Sequence, residues 1–201
     1  MDMWDPFVNS VLARLQDAQS KIVFDRYHLM SHMVKAVDTV RKRENRVLLQ
    51  RGDQSLVGSK YLWLFSAENL PQRHQQRFEI LRAIDLKTSR AWAIKENLRL
   101  LWEYSSPYWA ARWWQRWYFW ATHSRLQPVI DVARMFKRRQ QGIMTFFRHR
   151  VTNAAAEGLN SRIQAIRVMA RGYRNREHFK TAIYFHLGGL SLYPATHSIA
   201  G

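Results

Sequence analysis

The sequence predicts a mostly α-helical protein. Three observations lead to this prediction. Apolar residues recur at helical spacing along most of the chain, several prolines stand where they suit a helix start, and only residues 21–25 form a short apolar run typical of a buried strand. Hydrophobic residues make up 47% of the 201 residues, which is enough for a packed core.

The first third of the chain predicts a helix, a strand and a long helix. Asp5 and Pro6 suit an N-cap and the first helical position. Residues 21–25 predict a buried strand that ends in a carboxylate. A long helix follows from about residue 27 to residue 50, with residues 41–43 exposed. Its apolar face is predicted to consist of Leu29, Met33, Ala36, Val37 and Val40.

The remaining elements are predicted to be helices. Pro71 opens one of them, and Thr88 or Ser89 caps the next. Further helices are expected to start at Ser106-Pro107, at Pro128 (ending near Gly142), at Thr152 or Asn153 (ending near Gly172) and at Glu177 (ending near Leu187). Residues 143–149 are ambiguous between strand and loop, and residues 191–201 are expected to form a loose tail.

Five of the nine tryptophans stand in residues 108–120. Helical spacing relates four of them, Trp109, Trp113, Trp117 and Trp120. This pattern favours a helix that is apolar on most sides and enclosed by other helices. Two alternatives stay open, since arginines are interleaved: a stacking surface for nucleic-acid bases and an interfacial membrane helix.

The charge balance indicates the class of partner. Lys and Arg number 32 against 15 Asp and Glu, a formal net charge of +17, which favours DNA, RNA or an anionic membrane surface. The absence of cysteine excludes disulfides, thiolate zinc sites and cysteine nucleophiles. The N-terminus lacks the pattern of a signal peptide, and no run of about 20 apolar residues is present. We therefore expect a cytoplasmic protein with no membrane span.

The residues that could take part in catalysis or metal binding stand in three local patterns and a short segment that follows the third. They are MDMWDP at residues 1–6, IVFDRYH at residues 22–28, TNAAAEGLNSRI at residues 152–163 and ARGYRN at residues 170–175. In this order they resemble the motifs of ISL3-type transposases of the Asp-Asp-Glu class, and the resemblance extends over residues 1–190.

The resemblance implies a particular fold and domain order. The family has an RNase H-like core that holds three carboxylates and is interrupted by a helical insertion. Here it implies a mostly α chain with an incomplete RNase H-like α/β core of one or two strands. Residues 1–28 would be the remnant of that core, 29–150 the helical insertion, 151–190 the C-terminal core helices with the catalytic glutamate, and 191–201 the tail.

The resemblance also assigns roles to individual residues. Asp2 matches the second catalytic carboxylate, and Glu157 matches the third. Both would bind Mg²⁺ or Mn²⁺, hard cations that prefer carboxylate ligands. Asp25 and His28 match the family's Asp-x-x-His element, although an N-cap role for Asp25 is an open alternative. No residue matches the first catalytic aspartate or the family's N-terminal zinc-binding and helix-turn-helix regions, so we expect a truncated, inactive fragment.

Basic and amide side chains surround Glu157 in the sequence. Arginines and asparagines in this region are candidates for contacts with DNA phosphates, although charged residues of this kind are commonly just solvated. The candidates are Arg148, Arg150, Asn153, Asn160, Arg162, Arg171 and Arg174.

Three functional hypotheses follow. The first is a transposase that cleaves and transfers DNA strands at transposon ends, with another transposase subunit as a possible partner. The alternative is a non-catalytic, basic helical module that binds DNA or inhibits an intact transposase. The third is a membrane-active or poorly folded product.

Overall fold

The computed structural model describes residues 3–150 and 154–188, and within them every regular element is helical. The prediction of a mostly α protein is therefore confirmed. Two 3₁₀ turns cover Ala67–Asn69 and Leu100–Glu103. The α-helices in these ranges are α1 Asp5–Arg14, α2 Ala18–Lys21, α3 Arg26–Gln50, α4 Lys60–Leu64, α5 Gln72–Ala83, α6 Lys87–Arg99, α7 Pro107–Thr122, α8 Gln127–Arg138, α9 Gln140–His149, α10 Ala154–Met169 and α11 Arg176–Leu187.

The chain divides into two compact units. The first spans Met1–Val151 and contains α1 to α9, and the second spans Thr152–Gly201 and contains α10 and α11. In the first unit α3 is central, because α4, α6 and α8 all pack against it. None of the described helices has both the length and the apolar character that crossing a bilayer requires.

The buried face of α3 is the one that the sequence predicts, from Leu29 to Val40. One neighbouring prediction is wrong, because Arg41 is buried and not exposed. Its Nε and Nη2 donate to Asp38 Oδ1 at 3.0 and 2.8 Å, so the guanidinium is paired inside the protein. Lys42 and Arg43 are exposed, as expected.

The predicted strand at residues 21–25 is wrong. The backbone at Ile22 and Asp25 is extended, and Ile22 and Phe24 are buried, but no strand in the described ranges pairs with this segment. A ladder needs a second strand, which the alternation of buried residues cannot supply. Instead, Phe24 N donates to Gly142 O at 3.3 Å, and its ring packs against Gly142, where a Cβ would meet the ring at 2.5 Å.

Three predicted helix boundaries need correction. Asp5 is the first residue of α1 and not its N-cap, although Pro6 does lie in the first turn. Thr88 and Ser89 do not cap α6, which begins at Lys87 and is capped by a carboxylate from α3. Gly142 lies inside α9, so residues 143–149 are helical and not strand or loop.

The tryptophan-rich segment forms α7 from Pro107, as predicted, but with a different buried face. Ala110, Trp114, Trp117 and Ala121 are buried, whereas Trp109 and Trp120 are exposed. Trp117 Nε1 donates to Ile94 O of α6 at 3.0 Å. The predicted packing among other helices is confirmed, since α6, α8 and α9 pack against α7, but Trp109 and Trp120 lie outside that packing.

Candidate functional site

The Asp-x-x-His element lies at the beginning of α3. Asp25 is the N-cap, and its Oδ1 accepts a hydrogen bond from Tyr27 N at 3.1 Å. His28 follows in the first turn, with its ring centroid 5.5 Å from that of Tyr27. The capping role that the sequence left open for Asp25 is therefore confirmed, since the carboxylate satisfies one of the unpaired N–H groups of the helix start.

Arg148 and Arg150 lie at the C-terminal end of α9. Arg148 is exposed in the last turn. Arg150 has a left-handed backbone with φ 53°, and its Nη2 donates to the carbonyls of Tyr104 and Ser105 at 3.0 and 2.5 Å. Arg150 therefore joins the end of α9 to the loop before α7, and only its other N–H groups are available for a phosphate.

Helix α10 carries Glu157, Asn160 and Arg162. Asn160 and Arg162 are exposed, whereas Asp2, Asn153 and the side chain of Glu157 lie outside the described residues. Ile166 of this helix is buried. Met169, near the end of the same helix, is exposed.

The ARGYRN motif forms the turn between α10 and α11, in which several residues have identifiable structural tasks. Arg171 and Gly172 both have positive φ, at 50° and 98°. Arg171 N donates to Val168 O and Gly172 N to Arg167 O, both at 2.9 Å, which is the pattern of a Schellman motif. These bonds satisfy the carbonyls of Arg167 and Val168 in the last turn of α10.

The second half of the motif starts α11. Asn175 Oδ1 caps the helix by accepting a hydrogen bond from Glu177 N at 2.8 Å. Tyr173 packs on Phe179, with ring centroids 5.0 Å apart. Arg171 and Arg174 remain exposed. Arg171 occupies a left-handed position that glycine would fill with less strain.

The described surface of the second unit is strongly basic. Its one acidic side chain in residues 158–188, Glu177, pairs with Lys180 at 2.8 Å. The sequence analysis did not include Arg176 and Lys180 among the candidates for DNA contacts. A cation in the first turn of a helix opposes the helix dipole, so the position of Arg176 could have indicated a role other than helix stability. The exposed cations are Arg162, Arg167, Arg171, Arg174, Arg176 and Lys180.

The described side chains contain no group of three carboxylates or imidazoles close enough to hold a metal ion. Asp25 and His28 therefore do not complete such a site within this part of the chain. The two carboxylates that the resemblance assigns to a metal, Asp2 and Glu157, lie outside the described side chains.

Comparisons with known proteins agree with the motif order. The chain is similar to the transposase for insertion sequence element IS1001 of Bordetella parapertussis, with 29% identity over 164 residues, covering 80% of this chain and 40% of that protein. It is also similar to the transposase for element IS1557 of Mycobacterium tuberculosis, with 24% identity over 120 residues, covering 60% of this chain and 27% of that protein.

The chain thus spans less than half the length of these curated relatives. No solved structure matches it significantly. A family model described as a transposase, of the ISL3-type DDE class, matches residues 1–183. The chain therefore belongs to the ISL3-type family of DDE transposases.

Proposed function

We propose that this chain takes part in DNA transposition, holding the DNA of a transposon end through the turn between α10 and α11. The proposal rests on the different roles of the residues in the ARGYRN motif. Gly172 and Asn175 shape the turn and cap α11, while Arg171 and Arg174 are left exposed on a basic unit. Arginines on a rigid turn suit contacts with the phosphate backbone.

The catalytic part of the proposal rests on family membership. Asp2 and Glu157 supply two of the three carboxylates, within an RNase H-like core to which residues 1–28 and 151–190 belong. Carboxylate oxygens without thiolates suit Mg²⁺ or Mn²⁺. Such ions, when bound, activate the attacking oxygen and stabilise the leaving oxygen of a phosphodiester. Arg171 and Arg174 would position the DNA backbone for that reaction.

A binding titration tests the DNA contact. Fluorescence anisotropy of the purified chain with a duplex that carries the element's own ends, over a range of salt concentrations, gives the number of phosphates neutralised. Replacing Arg171 and Arg174 together by Gln is expected to make the slope of log affinity against log salt shallower by about two. Arg82→Gln, on α5, is the matched control and should leave the slope unchanged.

An unchanged slope in the double variant, with the helix content preserved, would contradict the proposed contact. Circular dichroism checks that the variants are folded. We expect the fold to be preserved, because neither the Schellman hydrogen bonds nor the N-cap hydrogen bond uses the side chain of Arg171 or Arg174.

A cleavage assay tests the catalytic assignment. Two of the family's three carboxylates have a match in these 201 residues, so we expect the purified chain to bind an end duplex without cutting it in Mg²⁺ or Mn²⁺. Metal-dependent cutting that disappears in Glu157→Gln would contradict this expected inactivity while supporting the role of Glu157. In a longer protein that also contains the first aspartate, the same substitution should abolish cleavage.

The second candidate function is that of a non-catalytic, basic module that binds DNA or inhibits an intact transposase. The purely helical, basic character of the described residues favours it. Coexpression with an intact transposase of the same element distinguishes the two. A fall in transposition frequency supports inhibition, and an unchanged frequency opposes it.

A further inference from the structure

Helix α7 has an exposed aromatic side opposite its buried side. Tyr108, Trp109 and Phe119 are 61%, 54% and 63% exposed, and Trp120 is also exposed. We call these four residues the aromatic face. A cluster of large exposed aromatic side chains is unusual on a protein surface and indicates a binding site for a ligand or a partner.

Arginines stand inside this face and not at its margins. Arg112 and Arg116 occupy the helical turns between the ring pairs 108–109 and 119–120, which lie eleven residues or about 16 Å apart along the axis. The Cζ atom of Arg112 lies 5.9 Å from the ring centroids of both Tyr108 and Trp109. No acidic residue is present in α7, so along the exposed side of this helix rings alternate with positive charge.

The other side of α7 fixes this surface in place. Trp114 and Trp117 are buried in the core, and Trp117 is hydrogen-bonded to α6. The rings are therefore presented by a rigid helix, and little order has to be gained when a ligand binds.

We propose that the aromatic face of α7 binds single-stranded DNA, with unpaired bases stacked on its rings and phosphates held by Arg112 and Arg116. Rings interleaved with cations are the chemistry that stacking on single strands requires. A duplex does not offer its base faces, so this ligand differs from the duplex end that the turn between α10 and α11 holds. The inference rests on the proposed function only in taking DNA as the ligand.

Charge placement favours this ligand over a lipid surface. A helix that lies in a membrane interface carries its basic residues on the polar face, away from the apolar one. In α7 the side opposite the rings is buried in the core, and Arg112 and Arg116 share the exposed side with the rings. That arrangement matches the alternating bases and phosphates of a single strand.

The test compares single-stranded and duplex binding by the full chain. The probe is fluorescein-labelled oligo(dT) of about 12 nucleotides, read by anisotropy. Trp109→Leu together with Phe119→Leu keeps apolar bulk but removes two rings, and should weaken binding of the single strand about a hundredfold, at about tenfold for each stacked base. Duplex affinity should not change.

Two further variants complete the design. Replacing Arg112 and Arg116 by Gln should weaken binding of oligo(dT) and make the slope of log affinity against log salt shallower by about 1.4, since each phosphate contact with a single strand contributes about 0.7. Ile80→Ala, which removes a 59% exposed apolar side chain on α5, is the control and should change neither affinity.

Three results would overturn the inference: oligo(dT) affinity that survives loss of both rings, an equal loss of duplex affinity in that variant, or binding to vesicles of anionic lipid without binding to oligo(dT). The proposed function is tested separately, since Arg171→Gln with Arg174→Gln should weaken duplex binding alone. Near-ultraviolet circular dichroism, to which the buried Trp114 and Trp117 contribute, verifies the fold of the variants in the first unit, and far-ultraviolet circular dichroism verifies the helix content of the variant that lacks Arg171 and Arg174.

Discussion

Replacing Glu44 by Ala should destabilise the first unit more than its partly exposed position in α3 indicates. The Glu44 carboxylate accepts three hydrogen bonds at the start of α6. Lys87 N and Thr88 N donate at 2.7 Å each, and Thr88 Oγ1 donates at 2.6 Å. An N-cap side chain ordinarily accepts hydrogen bonds from the first N–H groups of its own helix. Here the carboxylate of Glu44 in α3 accepts them from the first N–H groups of α6.

The expected loss is about 2–5 kcal/mol. Loss of an N-cap costs about 1 kcal/mol, and the favourable interaction of a carboxylate with the helix N-terminus adds about 0.3–1 kcal/mol. Thr88 is fully buried, so its hydroxyl would be left without an acceptor, at a cost of about 1–3 kcal/mol. For a chain of this size, a loss of 3 kcal/mol lowers Tm by roughly 6–12 °C.

Urea unfolding followed by tryptophan fluorescence is the assay. All nine tryptophans lie in the first unit, so the signal reports that unit alone. Glu44→Gln, which keeps an acceptor oxygen without the charge, should lose about half as much. Glu79→Ala, which removes an exposed carboxylate 3.6 Å from Arg82, is the control and should cost under about 0.5 kcal/mol. A loss in Glu44→Ala as small as in the control would refute the reasoning.

Three further predictions concern other positions. Gly142→Ala should destabilise the first unit by about 1–3 kcal/mol in urea unfolding, because the new methyl group meets the buried Phe24 ring. Lys95→Met should cost roughly 3 kcal/mol, because Lys95 Nζ donates to Phe65 O at 2.7 Å and lies 3.1 Å from Glu96. Arg171→Gly should raise the thermal stability of the second unit by up to about 1 kcal/mol, measured by circular dichroism, while weakening duplex binding.

The lysine variant also makes a prediction about pH. Burial lowers the pKa of Lys95 below its ordinary value of 10.5, although Glu96 partly opposes the effect. Between the lowered pKa and 10.5 the unfolded chain binds more protons than the folded one, so the lysine's contribution to stability rises with pH in that window. The stability of the native chain minus that of Lys95→Met should rise there, and a difference that falls or stays flat would contradict the assignment.

The other two substitutions have their own checks. Gly158, inside α10, has open space where a Cβ would lie, so Gly158→Ala should stabilise its helix by up to about 1 kcal/mol instead of destabilising it. If the two substitutions changed the stability equally, a steric clash with the Phe24 ring could not explain the effect of Gly142→Ala. For Arg171→Gly, duplex affinity equal to that of the native chain would show that the side chain has no part in DNA binding.

Sequence patterns predicted those parts of the fold that depend on residues close together in the chain. The buried face of α3 follows from a 3.6-residue period within one segment, and the start of α7 follows from Ser106-Pro107. The cap of α6 was beyond such reasoning, since Glu44 stands far from Lys87 in the sequence. In α7, rings occur on several sides of the helix, so the spacing of the tryptophans could not show that Ala110, Trp114, Trp117 and Ala121 form the buried side.

The candidate site was predictable to a similar degree. Gly172 and Asn175 are turn and cap residues by type, and their places in the structure agree with that chemistry. The extended segment at residues 22–25 has the alternation of a strand, but pairing depends on a partner that a single segment cannot reveal. The roles of Asp2 and Glu157 come from motif order alone and stay predictions.

The central place of α3 has a consequence for biosynthesis. Its apolar face is covered in part by α8, which follows much later in the chain. At roughly 5–20 residues per second, a ribosome needs on the order of ten seconds to pass from the end of α3 to the end of α8. During that interval the part of the apolar face of α3 that α8 covers stays unprotected, which makes it a target for chaperones and a starting point for aggregation. Translation products that stop before α8 should accumulate as aggregates, and slower growth at low temperature with added chaperone should raise the yield of folded protein.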